Sequence, residues 1–195
     1  EYTKQGIEVN EHLQTNIPHI YAIGDVTTGP KFTHYAGFQG AVAGRNALLP
    51  LGKGNGLETV VPWVTFTEPE VAHVGLTEAE ARQKYGDAVK ISMLPMDEGD
   101  RAVAEGDTAG FIKLVYKGSS DLLGATIVAE RAGEMITEFT FAIKKKINLR
   151  GLLGVMHPYP TYSDVSRKAI GNLVVHELMT GTSGQILKKV VKLLP

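Results

Sequence analysis

Residues 110–129 read GFIKLVYKGSSDLLGATIVA, and the fold turns on this stretch. Two apolar runs rich in β-branched residues, 110–116 and 122–129, flank the polar turn Lys117-Gly118-Ser119-Ser120-Asp121. Runs this short, separated by Gly and Ser, predict two strands joined as an antiparallel hairpin. Downstream, Met135, Phe139 and Ile143 fall on one stripe at helical spacing, predicting a helix over 134–147. A second helix is expected over 163–179, with Ser163 as its N-cap and Gly181 beyond its end. Upstream, 60–67 (VVPWVTFT) is β-rich, and 77–85 (TEAEARQKY) predicts a helix opened by Thr77 with Glu80 at capping-box spacing. Residues 89–93 predict a further strand. Strands followed by helices, without strict alternation, give an α+β fold: an antiparallel sheet with helices on one side.

The first fifty residues follow another pattern. The run Ile20-Tyr21-Ala22-Ile23 has the length of a buried strand and ends at Gly24-Asp25. Small residues dominate 36–47 (AGFQGAVAGRNA), as in a helix packed closely against a sheet. Three glycines in 51–57 (LGKGNGL) predict a linker. The expected organisation is therefore a strand–turn–helix part over 1–50, a linker over 51–58 and a larger domain over 59–195.

Twenty basic residues oppose twenty-one acidic ones, a net charge of -1, which argues against a nucleic-acid partner. With no cysteine, the chain can build no disulfide, thiolate metal site or cysteine nucleophile. Its six histidines form no HExxH motif and no i,i+4 pair, so no metal site is expected. No apolar run approaches the ~18 residues of a membrane span. The run Lys144-Lys145-Lys146 reads as a solvated helix end that complements the dipole. The tail 186–194 (ILKKVVKLL) reads as a short basic amphipathic helix, docked on the core or on a membrane surface, without stable insertion. The chain opens at Glu1 without an initiating Met or signal-like segment, which reads as a piece of a longer or processed product.

Two stretches carry candidate chemical groups. A strand ending in Gly24-Asp25 would place a carboxylate at a sheet edge, able to accept hydrogen bonds from sugar-like hydroxyls. Asp25 as a plain turn former or helix cap fits the same residues. In 156–164 (MHPYPTYSD), His157, Tyr159 and Asp164 can move or hold protons. There the plain readings are a hydrogen-bonded core histidine and an aromatic packed beside two prolines.

Three stretches carry a resemblance over nearly the whole chain. Residues 15–26 (TNIPHIYAIGDV) resemble the second half of the FAD-binding domain of the class I pyridine nucleotide-disulfide oxidoreductases, the family of dihydrolipoamide dehydrogenase, glutathione reductase and mercuric reductase. Residues 64–77 (VTFTEPEVAHVGLT), followed by Asp100-Arg101-Ala102, resemble the opening of that family's interface domain. Residues 156–164 resemble its C-terminal signature. The resemblance implies that Asp25 binds the ribityl chain of FAD and that Lys31, Phe32, Thr33 and His34 run along the flavin. It implies a following helix, 35–48, aimed at the isoalloxazine, so that 1–50 is a remnant of a nucleotide-binding α/β domain. It further implies a cytoplasmic homodimer, NAD(P)H as co-substrate, and Tyr159 and Asp164 as catalytic groups reaching into the partner's flavin site.

One departure matters. The family's usual base is a His where this chain has Tyr159, and a phenol titrating near pH ~10 stays protonated where an imidazole near ~6.5 would not. Mercuric reductases resemble this chain in having Tyr there, yet they usually add a cysteine pair that it lacks. The Gly-x-Gly-x-x-Gly turn, the redox cysteines and a second nucleotide fold are also absent from the sequence. The chain by itself is thus expected to be inactive, a dimerisation domain of an FAD-dependent oxidoreductase. The alternative is a free-standing homodimeric interaction module without a redox role.

Overall fold

The predicted hairpin is the centre of the sheet. Strands β6 (Phe111–Lys117) and β7 (Asp121–Ala129) pair antiparallel with Lys117 opposite Asp121, and an irregularity at Val115/Tyr116 shifts their register. The computed structural model describes residues 1–49, 51–118, 120–180 and 184, which leaves the 186–194 tail, Gly181 and the middle of the hairpin turn outside the described residues. It divides into two compact units, Glu1–Val61 and Pro62–Pro195.

In the second unit, β3 (Trp63–Thr65), β4 (Glu70–Gly75) and β5 (Val89–Pro95) complete a five-stranded antiparallel sheet in the order β3-β4-β7-β6-β5. Side chains alternate along each strand. Ala72, Val74, Leu94, Ile112, Leu114, Ala125, Ile127 and Ala129 line one face and are all buried. Helix α4 (Ala132–Lys145) covers β4 and β7, while α6 (Asp164–Thr180) covers β5 and β6. Helix α4 buries Ala132, Met135, Ile136, Phe139 and Ala142, close to the predicted stripe. Lys144 and Lys145 fill its last turn, and Lys146 caps it in the left-handed conformation.

Helix α2 (Glu78–Tyr85) carries the predicted capping box in full: Thr77 accepts from the Glu80 amide and Glu80 accepts from the Thr77 amide. It lies on the opposite face of the sheet from α4 and α6. There Ala81 packs against Val89 and Val115, and Glu78 pairs with Lys113 at 2.6 Å. Two short helices escaped sequence reading, α3 (Asp100–Glu105), which ends at left-handed Gly106, and α5 (Leu149–Leu153), which Asn148 caps.

In the first unit, β1 (Tyr2–Thr3) and β2 (Gly6–Ile7) form a small hairpin and α1 spans Thr33–Leu48. The expected strand at 20–23 is not formed. Only Tyr21 makes a bridge, to Gln14, and Ile20 and Ile23 are exposed, because no strand among the described residues lies alongside to complete a ladder. The glycine-rich stretch is pinned to this unit. Asn46 on α1 accepts from the Gly54 amide at 2.7 Å and donates to the Gly54 carbonyl at 3.0 Å, and the Gly56 amide donates to Glu11 at 2.8 Å. A Cβ on Gly56 would lie 2.4 Å from buried Leu13, so the chain passes there only without a side chain.

Candidate functional site

In the first unit, Asp25 sits on a 3-10 turn over Gly24–Val26. Gly24 adopts φ +68, and a Cβ there would stand 2.9 Å from the Ala36 Cβ on α1, so glycine both permits the bend and the close approach. The turn is held from several sides. Fully buried Gln39 accepts from the Gly24 amide at 2.7 Å, and the Thr27 hydroxyl donates to the Gly24 carbonyl at 2.8 Å. The Lys31 ammonium donates to the carbonyls of Asp25 and Thr27. Asp25 itself is exposed, and its carboxylate has no side-chain partner among the described residues. It is a fixed acceptor facing solvent.

Phe32 is the N-cap of α1 and supplies no side-chain cap, while Thr33 and His34 form the first helical turn. The Phe32 and His34 rings stack at 5.3 Å with planes 10° apart. No acidic residue occupies that first turn, so no carboxylate of the helix itself neutralises the positive end of the dipole there. The predicted residues thus gather into two adjoining features, the Asp25–Lys31 turn and the start of α1. An exposed carboxylate on a rigid turn suits a polyhydroxylated chain, and the helix start suits an electron-rich group.

In the second unit, the loop between α5 and α6 carries the other candidates. His157 is nearly buried. Its Nε2 lies 3.0 Å from Glu138 on α4 and its Nδ1 lies 3.1 Å from the Val155 carbonyl, so both ring nitrogens are occupied by the fold. The neighbouring side chains point outward: Val155, Met156 and Tyr159 are exposed, Met156 at 93% and Tyr159 at 69%.

Tyr159 and Asp164 are not hydrogen-bonded to each other. The Tyr159 hydroxyl donates to Asp100 Oδ2 at 2.8 Å. The Lys168 ammonium donates to Asp100 Oδ1 at 3.3 Å and to the Glu98 carbonyl at 2.8 Å. Asp164, buried at the start of α6, accepts from Arg167 Nε at 2.8 Å. The bond to Asp100 holds the Tyr159 phenol above its ordinary range, with the Asp100 charge next and Asp164 contributing least. Reciprocally, the phenol first and Lys168 second hold the Asp100 carboxyl below its usual value. Asp100 and Lys168 were missed as partners of Tyr159, since no local pattern links positions 59 and 9 residues away.

Beside this loop lies a cleft of about 300 Å³ lined by Arg101, Asp107, Glu130, Arg131, Thr161 and Tyr162 among others. The Tyr162 hydroxyl donates to Asp107 at 2.6 Å, and burial, followed by that bond, pushes the phenol up to about 12. Among the described residues no cluster of His, Asp and Glu could hold a metal ion, and no helix is long and apolar enough to cross a membrane.

Comparison with known proteins supplies the wider setting. A family model for the pyridine nucleotide-disulphide oxidoreductase dimerisation domain matches residues 61–170, and one for pyridine nucleotide-disulphide oxidoreductases matches residues 1–40. A mercuric reductase of Bacillus cereus is 42% identical over 165 residues, covering 84% of this chain and 26% of that protein. A dihydrolipoyl dehydrogenase of Thermus scotoductus is 42% identical over 159 residues, covering 81% of this chain and 34% of that protein. Among solved structures, the HOCl-induced flavoprotein disulfide reductase RclA from Escherichia coli superposes with a TM-score of 0.80 at 26% identity, over 88% of this chain and 40% of its own. The chain thus spans about a quarter to two fifths of the length of these relatives.

Proposed function

The chain belongs to the pyridine nucleotide-disulphide oxidoreductase family, and on that premise we propose that its second unit joins two subunits of an FAD- and NAD(P)H-dependent oxidoreductase. One observation carries the reading. Val155, Met156 and Tyr159 project outward from a loop that His157 ties to α4, and Phe141, one turn beyond Glu138, is exposed as well. Large apolar side chains exposed together on one loop mark an interaction surface, and a twofold mate would bury them. The interface would then bring each Tyr159 loop to the partner's flavin site.

In the assembled enzyme, FAD would pass electrons from NAD(P)H to a disulfide or metal-ion substrate. This chain's own residues would do the holding. Asp25 would accept from the ribityl hydroxyls, Lys31 would keep the Asp25 turn in shape, and Phe32, Thr33 and His34 would border the ring system at the positive end of α1. Nothing in the sequence supplies the pyrophosphate turn, so the fit is to the flavin end of the cofactor alone. Tyr159, protonated at neutral pH, and Asp164 would face the partner's substrate. The chain taken alone would have no turnover.

Sedimentation equilibrium tests the interface. At ~20 µM the chain is expected to be a dimer, and Met156→Glu, which places a charge on that surface, to shift it towards monomer. A wild-type monomer under those conditions would overturn the reading.

A further inference from the structure

We propose that Asp100, rather than Asp164, is the positioning carboxylate of Tyr159: it accepts the hydrogen bond of the phenol O–H and so leaves the phenol oxygen facing outward as a hydrogen-bond acceptor. The inference rests on the reading of Tyr159 as a substrate-facing group and adds which acid serves it, and to what end.

The geometry is specific. A hydroxyl has one proton to donate and two lone pairs to accept with. The Tyr159 proton is committed to Asp100 Oδ2 at 2.8 Å, which leaves the lone pairs of an exposed side chain facing solvent. A bond to an ionised acceptor also draws charge onto the donating oxygen and strengthens it as an acceptor. The Asp100 carboxylate is itself held: Lys168, reaching from α6, fixes its other oxygen and anchors to the Glu98 carbonyl. Asp164 faces its own helix, bound to Arg167 three residues on, and acts on Tyr159 only through space. The loop's imidazole, His157, is bound to Glu138 on α4. Tyr159 is thus a neutral, fixed acceptor. The substrate group it suits is a protic donor such as a thiol, which it can orient but not deprotonate.

Two measurements decide the matter. Tyrosine carrying 13C at the ring carbon that bears the hydroxyl lets each phenol of the full chain be titrated by NMR, with Tyr159→Phe assigning the Tyr159 signal. Asp100→Asn and Asp100→Ala should both lower the Tyr159 midpoint towards the ordinary phenol value, and Asp164→Asn should lower it less. Equal or greater lowering by Asp164→Asn would overturn the proposal. In the flavin-loaded, full-length enzyme, Tyr159→Phe and Asp100→Ala should each lower kcat by roughly 10- to 1000-fold, with the double variant little worse than either. Asp100→Asn, which keeps a neutral acceptor, should fall between, and it carries the test if Asp100→Ala does not fold. Loss of turnover in Tyr159→Phe with wild-type rates in both Asp100 variants would sink the proposal while the substrate-facing reading stands. Wild-type rates in Tyr159→Phe would sink that reading instead, and the titration would still decide whether Asp100 holds the phenol.

Discussion

Replacing Gln39 by Leu would test whether the Asp25 turn is held as the structure shows. Gln39 is fully buried on α1; its carboxamide oxygen accepts from the Gly24 amide at 2.7 Å and its nitrogen donates to the Gly56 carbonyl at 3.4 Å. Leucine fills nearly the same volume, so the loss is one of hydrogen bonds and not of packing. Each buried backbone group left without a partner costs ~1–3 kcal/mol. The short bond to Gly24 belongs in the middle of that range and the long one to Gly56 near its lower end, which gives about 2–4 kcal/mol. At ~1.4 kcal/mol per tenfold, opening of the turn should become roughly 30- to 1000-fold more frequent. Hydrogen exchange read by mass spectrometry on peptides spanning residues 20–28 would record it, with the β6–β7 hairpin as internal reference. Unchanged protection of the Gly24 segment in Gln39→Leu would refute the reasoning, because some other contact would then be holding the turn. Where protection is lost, a flavin held by Asp25 should also dissociate more readily from the full-length enzyme.

Two further outcomes follow from the second unit. Phe139 is fully buried on the stripe of α4, so Phe139→Ala should destabilise this unit by about 3–5 kcal/mol, seen as a lower urea midpoint with Trp63 fluorescence as the probe; a cost below ~1 kcal/mol would show that α4 is not seated as described. The Glu177 carboxyl is held below its ordinary 4.5 chiefly by Lys90 and then by Tyr116. A carboxyl depressed in the folded state adds stability that is complete above the unfolded value and is lost as pH falls through the lower folded one. Stability should therefore decline as pH drops below about 4.5, less steeply in Glu177→Gln, and parallel acid profiles for the two proteins would contradict this.

What could be read from the sequence was what neighbouring residues decide between themselves. The capping box of Thr77 and Glu80 closes within one helical turn, and the hairpin closes with Lys117 opposite Asp121 across a turn whose Gly and Ser announce it. The stripe Met135, Phe139, Ile143 placed α4 two residues late at each end, because periodicity marks a face and not a terminus. The 20–23 run misled for the same reason. Its apolar residues satisfy a strand pattern, but a strand exists only where another lies alongside, and none does among the described residues.

The Gly24-Asp25 turn was legible as an acceptor on a bend, since glycine and its neighbour define that geometry locally. Its anchors, Gln39 and Lys31, were not, because they reach it through the packing of α1. The same division separates Tyr159 from Asp100. Sequence resemblance could name the tyrosine and an acid five residues on. Only the folded chain, with α3 beside the loop and Lys168 extended from α6, brings a carboxylate from 59 residues upstream to within 2.8 Å of the phenol. Hydrogen bonds depend on distance in space, and between segments so far apart in the chain that distance is set by the core beneath them and not by any pattern along it.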